Sequence, residues 1–309
     1  MSVPGTKAFR ETLETFGRHG SLAGIITRPS GEGSSLPVVL LGAGIIHKVG
    51  PSRASVELAR ALASAGHPTL RFDLSGIGDS PRVDEPAMDR TAVLDIQDAV
   101  SLMEERFGGK DGVALVGFCS GADNGLFVAA EDPRVTRLVL FDPTVHRTRG
   151  FDKRRMTRRL TSVRSWWNLI SGRSLALELK DRMVDESDRP PGYYGLLTQS
   201  PEDTDRRVGV LVERGVRILY VLSRGCHAYC NSPEQVAESL PNGYSPDRIS
   251  VLWAPEMDHI LSTRPQREVL AAAVGDHLAD RRLRRLEVPE PRPSGPRTRG
   301  PAPRRYRPG

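Results

Sequence analysis

The sequence predicts an α/β fold with a mostly parallel central sheet that is covered by helices on both faces. Short apolar runs, each as long as a buried strand, alternate with segments in which apolar residues recur at helical spacing. This alternation is typical of parallel strands that are joined by helical crossovers and buried on both faces. With 309 residues, of which 38% are hydrophobic and 27% charged, the chain is long enough to form a sizeable core.

Each element in turn is indicated by its periodicity and by the residues that end it. The apolar run at 36–41 is followed by Gly42 and is expected to be a buried strand. The segment 55–65 carries apolar residues at helical spacing and is followed by Gly66, which is typical of a helix C-terminus. The remaining predicted elements are a strand at 69–74, a helix at 88–107, a strand at 113–116, a helix at 121–130, and strands at 138–141, 217–222 and 249–253.

The alternation of strands and helices is interrupted once. Residues 146–207 carry helical patterns and a basic run without strands, so we expect an inserted helical cap there. The core domain is accordingly predicted at 1–145 and 208–280. Residues 281–309 are rich in Arg, Pro and Gly and nearly lack apolar side chains, so this tail is expected to be disordered.

The net charge of +6 is unevenly distributed along the chain. Residues 281–309 contain ten Arg and two Glu, a net of +8, and residues 146–191 contribute a net of +6. The rest of the chain therefore has a net charge of −8. Because the positive charge belongs to the tail and the cap, the composition argues against a nucleic-acid partner for the protein as a whole. Only the cap charge lies where it could attract an anionic substrate.

The sequence contains no segment that we expect to cross a membrane. The longest apolar run, 38–46, is less than half of the roughly 20 residues that a spanning helix needs. The first residues also lack the apolar run of a signal peptide. We therefore expect a cytoplasmic protein without a membrane partner.

The cysteines indicate a reduced protein without a structural metal. Three cysteines are too few for a disulfide framework in a chain of this length. Cys226, His227 and Cys230 are close in sequence, but a structural zinc site takes four ligands and the sequence suggests no fourth. We therefore expect neither a metal nor a cofactor.

The segment VALVGFCSGADNG is the most informative part of the sequence. A predicted strand runs into Gly117, Cys119 and Gly121 and continues as a predicted helix, which is a G-x-S-x-G nucleophile elbow with Cys in the place of Ser. The glycines let the strand and the helix approach closely, and the free N–H groups that begin the helix favour a thiolate. Cys119 is the candidate nucleophile, although a buried Cys in an ordinary strand-to-helix turn would show the same spacing.

Three motifs in this sequence resemble the α/β-hydrolase family. The motifs are LLGAG at 40–44, FDLSGIGDS at 72–80 and GFCSGA at 117–122. The resemblance covers about residues 20–145 and 215–278, and within the family it is most similar to the exosortase-associated hydrolases, which also carry Cys at the elbow. It implies the α/β-hydrolase fold and acyl groups that pass through a covalent intermediate on Cys119.

The resemblance also implies where the other groups of the site lie. The N–H of Ser120 and the N–H of either Gly44 or Ile45 would form an oxyanion hole. The family places its base in a loop after the last strand, and the wording DHILS that follows the strand at 249–253 matches this layout with His259.

Further residues are candidates for contact with the substrate. His47 is expected near the oxyanion loop, and Trp166 and Trp167 lie in the predicted cap. By contrast, His67 and His277 are expected to be exposed and to have no role in the site.

The acid of the triad is the point at which the sequence departs from the family. The family's acid normally follows the strand read here as RILYVLSRG, and the matching position is Cys226. Asp142, one strand earlier, is one candidate for the role. Alternatively, a thiolate–imidazolium pair works with only a weak orienting group. Asp258 and Glu256 are weaker candidates.

A Cys nucleophile favours one kind of reaction. The acyl-enzyme would be a thioester, so exchange with other thioesters is nearly balanced, and acyl transfer or thioester cleavage is favoured over plain ester hydrolysis. The expected substrate is an acyl thioester or ester, free or attached to a carrier protein or coenzyme A that the basic cap would attract. The alternative is a non-catalytic module that binds a ligand or a partner protein in the same pocket. The sequence does not indicate an oligomeric state.

Overall fold

The computed structural model describes residues 9–18, 20–31, 35–82, 88–108, 111–161 and 199–281. Most of the predicted cap, including Trp166 and Trp167, lies outside the described residues, as does the tail beyond Arg281. None of the described helices is long and apolar enough to cross a membrane.

The described residues form one sheet of eight strands. The strands are β1 (Phe9–Phe16), β2 (Leu22–Pro29), β3 (Val38–Leu41), β4 (Thr69–Phe72), β5 (Val113–Phe118), β6 (Val135–Phe141), β7 (Arg217–Ser223) and β8 (Ile249–Ala254). Their spatial order is β1-β2-β4-β3-β5-β6-β7-β8. β2 pairs antiparallel with β1 and β4, and the pairs from β4 through β3 to β8 are all parallel. The predicted mostly parallel sheet is confirmed.

Helices cover both faces of this sheet. They are α1 (Ala54–Ser64), α2 (Met88–Phe107), α3 (Ser120–Glu131), α4 (Arg149–Thr161), α5 (Pro201–Glu213), α6 (Glu234–Ser239) and α7 (Arg264–Leu278). Leu62 of α1 and Leu270 of α7 belong to one buried core, whereas Ile96 of α2, Leu126 of α3 and Leu211 of α5 belong to the other. The strands between them read as continuous apolar runs because both of their faces are buried.

Sequence patterns missed the first two strands. In β1, FRETLETF, polar residues occupy most positions, and Leu13 leaves 72% of its surface exposed because β1 is the edge strand and pairs only with β2. The expectation that His67 and His277 are exposed was wrong. Both are buried, and burial lowers the pKa of His67 and lowers that of His277 to about 4.

The N-terminus of α3 packs directly against the end of β3, and this approach requires glycine. A Cβ atom on Gly121 would overlap the carbonyl oxygen of Gly42, and one on Gly117 would overlap the carbonyl oxygen of Gly121. Both obstacles are backbone atoms, which cannot move aside as a flexible side chain can. The two glycines therefore fix the distance between β3, β5 and α3.

We expect Gly121→Ala to lower the free energy of unfolding by about 1–3 kcal/mol, because its Cβ would force apart packed backbone segments. Gly275→Ala is a matched control, since Gly275 also lies in a helix but has no atom within 4 Å of the position of a Cβ. This control should leave stability unchanged or raise it by about 0.5–1 kcal/mol. Urea unfolding of both variants measures the difference, and equal stability would contradict the packing argument.

Candidate active site

Cys119 lies at a strained turn between β5 and α3. Its backbone has φ 50° and ψ −120°, a conformation that residues other than glycine rarely adopt. Its N–H donates to the carbonyl oxygen of Phe141 (2.8 Å), and its own carbonyl accepts from Ala122 (2.8 Å) and Asp123 (3.3 Å). These bonds to β6 and α3 hold the strained backbone in place, and the thiol is half-buried at the carboxyl edge of the sheet.

Asp142 follows β6 at the same edge of the sheet and is also strained, with φ 46°. Its side chain is buried, so a charged carboxylate here needs hydrogen-bond donors to offset its lost hydration. Ser223 supplies two of them: its N–H donates to Oδ1 (2.7 Å) and its hydroxyl donates to Oδ2 (2.5 Å). The end of β7 therefore anchors the carboxylate that ends β6.

His259 joins Asp142 to Cys119. It lies in the loop after β8, and its Nδ1 is 2.7 Å from Asp142 Oδ2. The hydrogen bond to Asp142, followed by the one between His259 and the Cys119 thiol, raises the pKa of His259 to about 10, against the opposing effect of burial. The imidazole is therefore protonated at neutral pH, and its charge lies beside the Cys119 sulfur.

The side chain of Asp258 stabilises the loop after β8, and its carboxylate accepts hydrogen bonds within that loop and none from His259. Asp258 Oδ1 accepts from the N–H groups of Ile260 and Ser262 (both 3.1 Å), and Oδ2 accepts from the Ser262 hydroxyl (2.5 Å). Glu256, the other weak candidate for the acid, is exposed. The structure thus brings Asp142, and neither of these two, to the histidine.

Cys226, which follows β7 at the position expected for the triad acid, is buried. Its thiol donates to the carbonyl oxygen of Ser223 (3.0 Å), and a hydrogen bond with Cys230, followed by burial, raises its pKa. Cys230 is equally buried. Both thiols lie behind Ser223 in the turn Arg224–Ala228 and the residues that follow it.

Among the residues proposed for the oxyanion hole, two are linked to each other. The N–H of Gly44 donates to Ser120 Oγ at 2.6 Å. No protein acceptor for the N–H groups of Ser120 and Ile45 occurs within the described part of the chain. Ile45 leaves 55% of its surface exposed on the loop after β3. The Gly44 amide is thus already engaged, whereas the Ser120 amide is available.

His47 belongs to a charged cluster under the loop after β3. Lys48 is buried, and its Nζ lies 2.6 Å from Asp73 Oδ2, 2.5 Å from Asp79 Oδ2 and 3.1 Å from His47 Nε2. His47, Asp73 and Asp79 are close enough to share a metal ion, but the Lys48 ammonium already supplies a positive charge among them. The cluster fixes the turn at 72–80 to the loop that carries Gly44.

A cavity of about 800 Å³ lies where the parallel strands begin, at the opposite end of the sheet from Cys119. His67, Val135 and Val216, among its lining residues, lie at or just before the first residues of β4, β6 and β7. Cys119, Asp142 and His259 follow the last residues of their strands, so this cavity is separate from the candidate site.

Two residues of the site were not identified from the sequence. Ser223 holds the Asp142 carboxylate, and a Cβ atom on Gly225 would lie 2.7 Å from His259 Nδ1 and 2.8 Å from Asp142 Oδ2. Gly225 therefore leaves the space in which the acid and the histidine meet. The sequence signal for these two residues was a Ser at the end of β7 that is followed two residues later by a Gly.

Comparisons with known proteins agree with this architecture. A family model described as the alpha/beta hydrolase fold matches residues 37–167. No curated protein matches the sequence.

Solved structures with the same fold cover most of the chain. An esterase from Pyrococcus furiosus is 15% identical and has a TM-score of 0.57, with 88% of this chain and 91% of that chain covered. A Klebsiella pneumoniae protein proposed to be a dienelactone hydrolase is 14% identical, with a TM-score of 0.57 and coverage of 88% and 99%. The esterase domain of a Rhodothermus marinus protein is 16% identical, with a TM-score of 0.53 and coverage of 88% and 100%. At these identities the similarity shows the fold.

We expect Asp142→Asn to slow the alkylation of Cys119 by iodoacetamide at about pH 7.5 by roughly tenfold or more. Without the carboxylate the pKa of His259 falls toward its usual value near 6.5, so the positive charge beside the sulfur is lost. Only the wild-type imidazole is protonated between about pH 6.5 and 10, so the difference in alkylation rate should be largest in this range and should disappear as the pH rises through about 10. Alkylation rates across this range measure the change.

The exposed Glu256 provides the control for this experiment, since Glu256→Gln also removes one negative charge from the same edge of the molecule. Its alkylation profile should match that of the wild type. Equal rates in all three proteins would show that Asp142 does not charge the histidine.

Proposed function

We propose that this chain, which has the α/β-hydrolase fold, is a Cys-dependent acyl-transfer enzyme that forms an acyl-Cys119 intermediate. The observation that carries the proposal is the placement of Asp142, His259 and Cys119 at one edge of the sheet, with His259 hydrogen-bonded to Asp142 and its pKa raised further by the Cys119 thiol. A nucleophile, a base and a carboxylate that orients the base are the groups that nucleophilic catalysis requires. The Cys at the elbow supports a place in the Cys-nucleophile branch of the family, most like the exosortase-associated hydrolases.

The triad supplies each proton transfer of the reaction. The Cys119 thiolate attacks the carbonyl carbon of an ester or thioester, and the electron pair of the C=O bond moves to the oxygen. As the tetrahedral intermediate collapses, the bond to the leaving oxygen or sulfur breaks, and protonated His259 gives its proton to the leaving group. Neutral His259 then takes a proton from the acceptor, either water or another nucleophile, that displaces the acyl group from Cys119.

The chemistry of the intermediate favours an acyl thioester over a simple ester as the substrate. An acyl-Cys is itself a thioester, so acyl exchange with a thioester donor is nearly balanced in free energy. The intermediate also stays activated for transfer to an alcohol, an amine or a thiol. We therefore place thioester cleavage or acyl transfer ahead of plain esterase activity. Because the nucleophile must remain a free thiol, we place the protein in the reducing cytoplasm.

A basic helix at the site's edge supports an anionic acyl carrier, either an acidic carrier protein or coenzyme A. α4 carries six basic residues and one acidic residue. Arg149 and Lys153 are exposed on it. Arg147, just before α4, donates to the carbonyl oxygen of Ala228 (3.1 Å) in the turn after β7, so the helix begins at the same edge of the sheet as Asp142. Charges in this position attract an anionic substrate before it reaches the site.

We expect wild-type protein to gain the mass of one acetyl group on Cys119 when it is incubated with 4-nitrophenyl acetate or with an acetyl thioester. Cys119→Ala should gain none, because the only accessible thiol is lost. Cys119→Ser should fold normally and acylate about 100-fold or more slowly, because a serine hydroxyl ionises far less readily than a thiol. Intact mass spectrometry with peptide mapping measures the adduct.

The absence of an acyl-Cys119 adduct would favour the alternative of a non-catalytic module. If no adduct forms with either donor, and the wild type turns over neither donor faster than Cys119→Ala does, the protein is a non-catalytic module that binds a ligand or a partner in this pocket.

We expect the double variant Arg149→Glu and Lys153→Glu to raise the KM for acetyl-coenzyme A about tenfold at low ionic strength, with little change for the uncharged thioester of N-acetylcysteamine. The difference should shrink as salt is added. Arg106→Glu is the control, since Arg106 is exposed at the end of α2 on the opposite edge of the sheet. An equal effect of both substitutions, or none on either substrate, would contradict an anionic carrier.

A further inference from the structure

The residue after the nucleophile presents an unassigned hydroxyl group to the site. Ser120 begins α3, and its Oγ accepts the N–H of Gly44 at 2.6 Å. A hydroxyl oxygen accepts through its lone pairs and donates through one proton. Its bond with Gly44 uses a lone pair, so the proton of the Ser120 hydroxyl remains to be donated. Within the described ranges of the chain, no acceptor for this proton occurs.

The Gly44–Ser120 bond lies where the fold brings two loops together. Gly121 packs against the carbonyl oxygens of Leu41 and Gly42 so closely that a Cβ would overlap Gly42. The loop after β3 is therefore held against the N-terminus of α3, and the bond from Gly44 to Ser120 crosses this contact. Because Ser120 directly follows Cys119, its N–H and its hydroxyl lie at the N-terminus of α3, next to the proposed nucleophile.

We propose that the Ser120 hydroxyl, polarised by the Gly44 N–H, donates a hydrogen bond to the oxyanion of the tetrahedral intermediate. The inference rests on the proposed function, and it changes the second donor of the oxyanion hole. The Gly44 amide acts through Ser120 instead of contacting the substrate oxygen. Ser120 then supplies two donors, its N–H and its O–H, and the chain of hydrogen bonds strengthens the second of them.

The alternative role of this hydroxyl has the opposite consequence. If Ser120 Oγ only occupied the Gly44 amide, it would block a donor, and its removal would free Gly44 to bind the oxyanion directly. Ser120→Ala would then react faster than the wild type. The two roles therefore predict changes of opposite sign in the same variant.

The test is the rate of the acylation burst with a 4-nitrophenyl ester and with the matching thionoester, in which sulfur replaces the carbonyl oxygen. Sulfur accepts hydrogen bonds weakly, so the ratio of the two rates reports donation to that atom. We expect Ser120→Ala to acylate at least tenfold more slowly with the oxygen ester and to show a smaller oxygen-to-sulfur rate ratio. Ser120→Thr, which keeps the hydroxyl, should recover most of the wild-type acylation rate and most of the wild-type oxygen-to-sulfur rate ratio.

Ser64→Ala is the matched control, since Ser64 is also a half-buried helical serine, and its hydroxyl donates to the carbonyl oxygen of Arg60 (2.8 Å) at the opposite edge of the sheet. It should leave rate and ratio unchanged. Equal or faster acylation in Ser120→Ala, or an unchanged oxygen-to-sulfur ratio, would overturn this inference while the acyl-Cys119 reaction stands. Failure of the wild type to form acyl-Cys119 with either ester would overturn the proposed function and the inference together.

Discussion

The buried carboxylate of Asp142 is the group on which the candidate site depends. It is buried, so a charge on it needs donors to offset the lost hydration, and it receives two from Ser223 and one from His259. The hydrogen bond to this carboxylate orients the imidazole and raises its pKa, so that the ring is protonated at neutral pH. The same proton then provides the positive charge beside Cys119. A single buried carboxylate therefore sets the protonation state of His259, the group that lies beside Cys119.

The backbone supplies the positions that this charge requires. β5, β6 and β8 end at one edge of the sheet, and the residues that follow them carry the thiol, the carboxylate and the imidazole. Cys119 and Asp142 both adopt positive φ values, which hydrogen bonds to the neighbouring strands maintain. Gly121 and Gly225 leave the space that α3 and the histidine occupy. The backbone is thus locally strained and closely packed at the edge of the sheet where the three groups meet.

The parallel sheet and the positions of Cys119, Asp142 and His259 were accessible from the sequence because buried strands and an elbow leave strong local patterns. The edge strand β1 was missed because its many polar residues give no such pattern. The place of Asp142 after β6 ranked it above Asp258, but its hydrogen bond to His259 and the role of Ser223 could not be predicted. These depend on which side chains meet across β6, β7 and the loop after β8, and no periodicity records contacts between segments so far apart in the chain.

We expect His259 to carry a positive charge between Asp142 and Cys119, and NMR titration of histidine labelled with nitrogen-15 measures this charge. The signal of His259 is identified by its loss in His259→Gln. The midpoint should lie near 10 in the wild type and lower in Cys119→Ala, because the interaction with the thiol contributes to the raised pKa. A midpoint near 6.5 that does not change in Cys119→Ala would contradict this expectation.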